Sequence, residues 1–276
     1  MSSKSADHPV ICPNCGSTAT GNYCAQCGQA THLHKDTFWG LVTHFIAHYF
    51  HFESKFWQTM RTLMARPGAL TVAYLAKQRA RYVPPMSLYI FVAVAFFLLS
   101  PLISSGYKKL GWTSSRKGTV VAETRPTHPP ETEAEATLTK MTDRLDAAST
   151  DPQLRSKLQS YVPKVFFVMI PVLALILRLL LLRNPHSTFV VNSIFALHFQ
   201  AAAFIFRLAK TVLPFLPGFV FALASILYLV LALRKVYALK TGRAIGVALA
   251  ASVLYVLALS IIVVTLIVVV SSLRAG

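Results

Sequence analysis

The stretch PMSLYIFVAVAFFLLSPLI (residues 85–103) carries no charged side chain and is long enough to cross a lipid bilayer as one helix. A transmembrane helix needs about 20 predominantly apolar residues, because about 30 Å of hydrocarbon must be spanned. Four further apolar runs follow, at about 162–182, 188–208, 218–233 and 244–270. We therefore predict an all-α membrane protein with about five transmembrane helices.

The composition excludes several other classes of protein. Hydrophobic residues make up 54% of the 276 residues and charged residues only 13%, whereas soluble domains carry about 25% charge. The same values exclude a disordered chain, which needs low hydrophobicity. Four cysteines are too few for a disulfide-rich scaffold. The N-terminus lacks the apolar run of a signal peptide.

The net charge is strongly positive, at +17. Such charge favours nucleic acid or anionic lipid as a partner, and the apolar content favours lipid, so we expect no nucleic acid. Basic residues cluster at Lys77, Arg79 and Arg81 before the first span and again at 234–243. Both clusters are predicted to face the cytoplasm, although the basic residues at 207 and 210 favour the opposite orientation. The cluster of Lys77, Arg79 and Arg81 is a candidate site for lipid headgroups.

The chain divides into six segments by composition. We expect a head and linker at 1–35, interfacial amphipathic helices at 36–83, the first span at 84–103, an extramembrane loop at 104–161 with one amphipathic helix at 131–148, the remaining spans at 162–270, and a tail at 271–276. The loop contains most of the acidic residues and a proline-rich stretch, and it is too long for a tight turn.

The head contains two CxxC pairs, and its four cysteines are Cys12, Cys15, Cys24 and Cys27. Two such pairs at short separation can supply four thiolates to one tetrahedral Zn²⁺. A set of four protein ligands leaves no position open for water, which predicts a structural site. Free or disulfide-bonded cysteines are the alternative, and a reducing cytoplasm disfavours the disulfide.

The segment before the first span contains three histidines on one predicted helix face: His44, His48 and His51. They resemble a single box of membrane di-iron enzymes, but such sites need several boxes, so a solvated polar face is the favoured interpretation. Glu53 falls on the opposite face if this helix is continuous. It would then need a cationic partner such as Arg178 or Arg183. If the helix instead breaks near residue 52, Glu53 lies at the start of a new helix, where an acid is favourable.

The third span carries the candidate intramembrane polar site, Asn192, His198 and Gln200. Polar side chains within spans are candidates for function, and hydrogen bonding between helices is the alternative. Because the spans contain no acid, we expect His198 to point into the bundle and to find a partner such as a hydroxyl, an amide, a carbonyl, water or Glu53.

Three stretches together resemble a bacterial membrane-protein family catalogued only as a domain of unknown function: CPNCG…NYCAQCGQ, FESKFWQTMRTLMARPGALTVAYLAKQRARYVPPMSLYIF and ALHFQAAAF. The resemblance covers the head, residues 52–100 and the third span around His198. It implies a multipass protein of the bacterial inner membrane with an N-terminal zinc ribbon, and it implies no activity.

Two hypotheses for function follow. The first is a non-enzymatic membrane adaptor or assembly factor, whose cytoplasmic ribbon binds a protein partner. The alternative is a lipid or small-molecule transporter that uses the polar groups of the third span. A metal-dependent enzyme is the least favoured, because the sequence contains no Ser/His/Asp set, P-loop or dinucleotide fingerprint. The sequence does not specify the oligomeric state.

Overall fold

The computed structural model describes residues 10–31, 55–109 and 152–275. These residues form two short strands and seven helices: β1 (Val10–Ile11), β2 (Thr18–Ala19), α1 (Phe56–Ala65), α2 (Ala69–Leu75), α3 (Pro85–Lys109), α4 (Pro152–Leu180), α5 (Phe189–Val212), α6 (Gly218–Tyr237) and α7 (Thr241–Ala275). His44, His48, His51, Glu53 and the predicted helix at 131–148 lie outside the described residues.

The five predicted spans are confirmed as helices that are long and apolar enough to cross a membrane. They are Pro85–Tyr107, Ser156–Leu180, Phe189–Val212, Gly218–Tyr237 and Thr241–Val270. The helices begin or end several residues beyond the apolar runs, because a helix continues past the hydrocarbon where its backbone hydrogen bonds persist. Helix α3 also continues through Pro101. The protein is therefore a helical multipass membrane protein.

The chain forms two compact units, which we describe separately. The first contains the described residues of Met1–Ser100 and Ile170–Val253, and the second those of Pro101–Met169 and Leu254–Gly276. In the second unit, Ile267 and Val270 of α7 pack with Leu158 of α4. An apolar groove of about 330 Å³ lies between the same two helices.

Helix α5 is the central helix of the first unit. In its apolar window 67% of the residues are buried, compared with 11% in α7. The helix begins where the Thr188 side chain accepts a hydrogen bond from the backbone N–H of Val191, at 3.3 Å. A hydroxyl in this position satisfies one of the free N–H groups of the first turn. Four polar residues of α5 are buried: Asn192, Ser193, His198 and Gln200.

Helices α1 and α2 pack against α5 and α6. We expected this part of the chain to form interfacial amphipathic helices. In the described part, Leu63 and Leu70 are buried, and so are the polar residues Thr59 and Thr71. Trp57, Val72 and Leu75 of the same segment are exposed. Leu63 and Leu70 therefore pack against protein, and the interfacial position of the segment stays a prediction.

Candidate metal centre and intramembrane polar site

The two CxxC pairs form two equivalent knuckles. In the first, the N–H of Cys12 donates to the Ser17 carbonyl and the N–H of Gly16 donates to the Cys12 carbonyl, both at 2.8 Å. The same two bonds recur in the second knuckle, from Cys24 to Gln29 and from Gly28 to Cys24, again at 2.8 Å. The two glycines have φ values of 77° and 69°, a left-handed conformation that glycine adopts without steric cost. Each CxxCG sequence therefore folds into the same turn.

The knuckles bring all four cysteine sulfurs within 4.8 Å of one another. The Sγ atoms of Cys12 and Cys27 are 3.5 Å apart, and those of Cys15 and Cys24 are 3.6 Å apart. A tetrahedral site with Zn–S bonds of about 2.3 Å has sulfurs about 3.8 Å apart. All four cysteines are free. Their number, chemistry and spacing fit a metal ion held by four thiolates.

The hydroxyl of Ser17 lies against two of these sulfurs. Its Oγ is 2.9 Å from Cys15 Sγ and 3.1 Å from Cys24 Sγ. The Ser17 hydroxyl, together with the backbone N–H of Cys27, lowers the pKa of Cys24 to about 6, and the side chain and backbone of Ser17 lower the pKa of Cys15. Burial raises the pKa of Cys12 to about 11. Because thiolates are the metal-binding form of cysteine, Ser17 favours metal binding. The sequence analysis missed this residue, although it directly follows the first knuckle glycine.

Gln29 joins the head to the turn before α3. Its side chain is only 4% exposed, and its Nε2 donates to the Lys77 carbonyl at 2.7 Å. Its Oε1 accepts the backbone N–H groups of Arg79 and Ala80, both at 3.1 Å. The head is therefore fixed to residues 77–80, a contact that the sequence analysis did not predict.

The cluster of Lys77, Arg79 and Arg81 lies on this turn. The Arg79 guanidinium stacks over the Tyr74 ring at 4.8 Å, and that of Arg81 lies 5.6 Å from the Tyr82 ring centre. None of the ten Asp and Glu residues of the sequence falls within the described part. The cluster is therefore a concentration of positive charge with no acidic side chain among the described residues.

His198 lies inside the first unit with Thr71 as its partner. The imidazole Nδ1 is 3.0 Å from the Thr71 hydroxyl, and the two residues are 5% and 1% exposed. This contact confirms that His198 points into the protein and pairs with a hydroxyl. A cavity of about 10 Å³ borders both side chains, together with Arg66 and Tyr228. That volume is sufficient for about one water molecule.

Asn192 belongs to a separate hydrogen-bond network. Its Oδ1 accepts from the Tyr237 hydroxyl at 2.8 Å, and its Nδ2 donates to the Ser187 hydroxyl at 3.1 Å. The Ser187 carbonyl in turn accepts from Arg178 at 2.6 Å. This network joins the connection between α4 and α5 to the end of α6. Arg178, one of the expected partners of Glu53, thus contributes to it.

Gln200, the third predicted polar residue of the span, is 3% exposed. Neither polar atom of its amide has a hydrogen-bond partner among the described residues. Asn192, His198 and Gln200, which were predicted as one polar site, thus have no hydrogen-bond partner in common among the described residues.

Comparison with known proteins gives one match. Residues 53–97 match the model of a family described as "Protein of unknown function (DUF3667)". No curated protein and no solved structure matches the chain. The matched segment includes α1, α2, the turn bound by Gln29 and about half of α3. Over this segment the chain is therefore similar to a family to which no activity is assigned.

Proposed function

We propose that this protein is a non-enzymatic adaptor or assembly factor of the bacterial inner membrane, with its metal ribbon on the cytoplasmic side. The observation that carries the proposal is the way the head is held. Gln29 fixes the ribbon to the turn before α3, while Ile11 and Tyr23 are 72% and 70% exposed. An exposed tyrosine on a small, anchored module suits the binding of a protein partner, because aromatic side chains are enriched in protein interfaces.

The metal of the ribbon is proposed to be Zn²⁺. Four thiolates in a tetrahedral arrangement suit zinc better than the oxygen-preferring cations. The buried core of the ribbon consists of Cys12, Ala19 and Cys24, with Cys27 packed against it. So small a core does not hold a fold by itself, so zinc would supply most of the folding free energy.

Anionic lipid is the proposed membrane partner of Lys77, Arg79 and Arg81. Each basic residue close to an anionic surface contributes roughly 1 kcal/mol of attraction. Native mass spectrometry of protein released from mixed phosphatidylglycerol and phosphatidylethanolamine nanodiscs tests this proposal. Changing the three residues to glutamine should abolish the enrichment of phosphatidylglycerol. A control protein carries glutamine at Lys157, Lys164 and Lys210 instead. If this control loses as much phosphatidylglycerol enrichment as the test variant, a specific lipid site is contradicted.

Protein binding is tested by changing the exposed apolar residues of the ribbon. The parent protein purified from native membranes should carry a cytoplasmic protein partner. The double variant Ile11→Ser with Tyr23→Ser should no longer co-purify this partner, while its metal content stays unchanged. Gln26→Ser, at an exposed polar position of the ribbon, is the matched control. Purification through the identified partner must recover this protein in return. If the parent protein, the double variant and Gln26→Ser all recover the same amount of partner, the adaptor role is contradicted.

Lipid transport is the second candidate, and the amide of Gln200 favours it. An unpartnered amide inside a membrane protein costs free energy, which a polar substrate could offset. The test is the movement of fluorescently labelled phosphatidylethanolamine between the leaflets of reconstituted vesicles. Movement that requires both Gln200 and His198 would support transport, and movement equal to that in protein-free vesicles would contradict it.

A further inference from the structure

We propose that metal binding in the ribbon controls the conformation of the basic turn at 77–81, and that Gln29 is the link between them. The inference rests on the proposed zinc site and on the proposed headgroup role of this turn, and it adds their coupling. Gln29 connects the metal site to the turn. Its backbone lies at the second knuckle, and its side-chain amide makes hydrogen bonds to the backbone of the turn.

The metal-binding half of this link is the knuckle itself. The backbone carbonyl of Gln29 accepts the N–H of Cys24 at 2.8 Å, and Gln29 lies two residues after Cys27. A metal that fixes these two cysteines therefore fixes the position from which the Gln29 side chain extends. When the metal leaves, the ribbon has too small a core to keep this geometry.

The other half of the link is the turn that follows α2. Lys77 has a φ of 63°, the left-handed conformation common just after the end of a helix. The end of α2 holds Lys77 in this conformation, and the N–H of Arg79 also donates to the Lys77 carbonyl at 2.9 Å. The Gln29 amide adds three hydrogen bonds, because it donates to the Lys77 carbonyl and accepts from Arg79 and Ala80. These three bonds are the support that the ribbon supplies to the turn.

The backbone on either side of the turn is held without the ribbon. Upstream, the N–H groups of Lys77 and Gln78 donate to the carbonyls of Tyr74 and Ala73, both at 3.0 Å. Downstream, the N–H of Val83 donates to the buried Thr59 hydroxyl at 3.0 Å. Loss of the ribbon contact should therefore release a short stretch after Gln78 that carries Arg79 and Arg81, and leave Lys77 and the helices in place. The spacing of these charges for a lipid headgroup would then depend on the metal.

Hydrogen–deuterium exchange on the full-length protein in nanodiscs tests this coupling, because the amide of Ala80 donates to Gln29. The amide of Arg79 is a weaker reporter, since it donates to the Lys77 carbonyl as well as to Gln29. Removal of Zn²⁺ by a chelator should speed exchange at Ala80 by about tenfold or more, as expected when a local structure opens. Re-addition of Zn²⁺ alone should restore protection. Peptides from the buried part of α5 provide the internal reference and should not change.

Two variants identify the link. Gln29→Ala should expose the Ala80 amide in the presence of zinc, and trypsin should then cleave faster after Arg79. Gln26→Ala, in the same knuckle but exposed, should behave like the parent protein. Unchanged protection of Ala80 after chelation, or in Gln29→Ala, would overturn the coupling.

Lipid retention separates this inference from the proposed function. If chelation releases the turn but glutamine variants of the basic residues still retain phosphatidylglycerol, the coupling stands and the headgroup role fails. If those variants lose the lipid while chelation leaves exchange unchanged, the coupling alone is overturned.

Discussion

The hydroxyl of Tyr228 donates a hydrogen bond to the backbone carbonyl of Leu63, at 2.9 Å. In a continuing helix this carbonyl would accept the N–H of residue 67, but Pro67 has no N–H to donate. Leu63 is 1% exposed, so this carbonyl is removed from bulk water. A side chain of α6 thus satisfies the carbonyl that the proline leaves unpaired, and it joins the end of α1 to the bundle.

Removal of this hydroxyl should destabilise the protein. We expect Tyr228→Phe to lower the free energy of unfolding by about 1–3 kcal/mol, because a buried carbonyl loses the donor that Tyr228 supplies. Thermal unfolding in detergent, followed by size-exclusion chromatography, measures the change. Pro67→Ala in the same background supplies a backbone N–H and should restore part of the stability. Equal stability of Tyr228→Phe and the parent protein would contradict this role.

The glycine after Pro67 is predicted to tolerate no side chain. Gly68 has a φ of 77°, and a Cβ atom there would lie 2.9 Å from the Ala232 carbonyl oxygen of α6. Gly68→Ala should therefore cost about 2–5 kcal/mol, from the left-handed conformation and the forced contact. Gly246→Ala is the control, because its Cβ would meet no atom within 4 Å. The prediction fails if the two variants unfold at the same temperature.

Metal analysis of the purified protein should give one Zn²⁺ per chain. Cys24→Ser should remove the metal and unfold the ribbon, because three ligands and a small core do not hold it. The five spans should remain inserted, since burial of apolar side chains in lipid stabilises them independently. A metal content near zero in the mildly purified parent protein, or disulfides among the four cysteines, would contradict the prediction.

Sequence reasoning succeeded where the signal is local. The apolar runs predicted the five spans because each run must cross the hydrocarbon by itself. The two CxxC pairs predicted the cysteine cluster because ligand chemistry and short spacing restrict the fold. The inward direction of His198 was predicted because a buried imidazole needs a partner, but five kinds of partner stayed open, and Thr71 lies 127 residues away in the chain.

The contacts that the sequence analysis missed depend on packing between distant segments. An amphipathic pattern shows that α1 has an apolar face, but it does not show whether that face meets lipid or protein. The contact of Gln29 joins residues 48 to 51 positions apart, and a single glutamine has no periodic signal. The carbonyl left free by Pro67 could have been predicted from the sequence, but the tyrosine that satisfies it could not.

The orientation of the chain is tested by labelling introduced cysteines with a membrane-impermeant reagent. Short basic connections favour the cytoplasmic side, so Thr241→Cys, at the start of α7, should be protected in intact cells. Ser114→Cys, in the loop predicted from the sequence at 104–161, should be labelled from the periplasm. The parent protein with its four native cysteines gives the background signal. The reverse pattern would invert the proposed topology.

The pair formed by Thr71 and His198 should behave as one energetic unit. Thr71→Val removes the hydroxyl and leaves the imidazole Nδ1 unpaired at a buried position, which should cost about 1–3 kcal/mol. His198→Leu should be mildly destabilising, and the double variant should be more stable than the sum of the two losses predicts, by about 0.5–3 kcal/mol.

Thr62→Val is the control, because its hydroxyl bonds only the Gln58 carbonyl of its own helix in the described structure. Thermal unfolding of the four proteins gives the coupling free energy. Strict additivity would mean that the 3.0 Å contact does not hold α2 against α5.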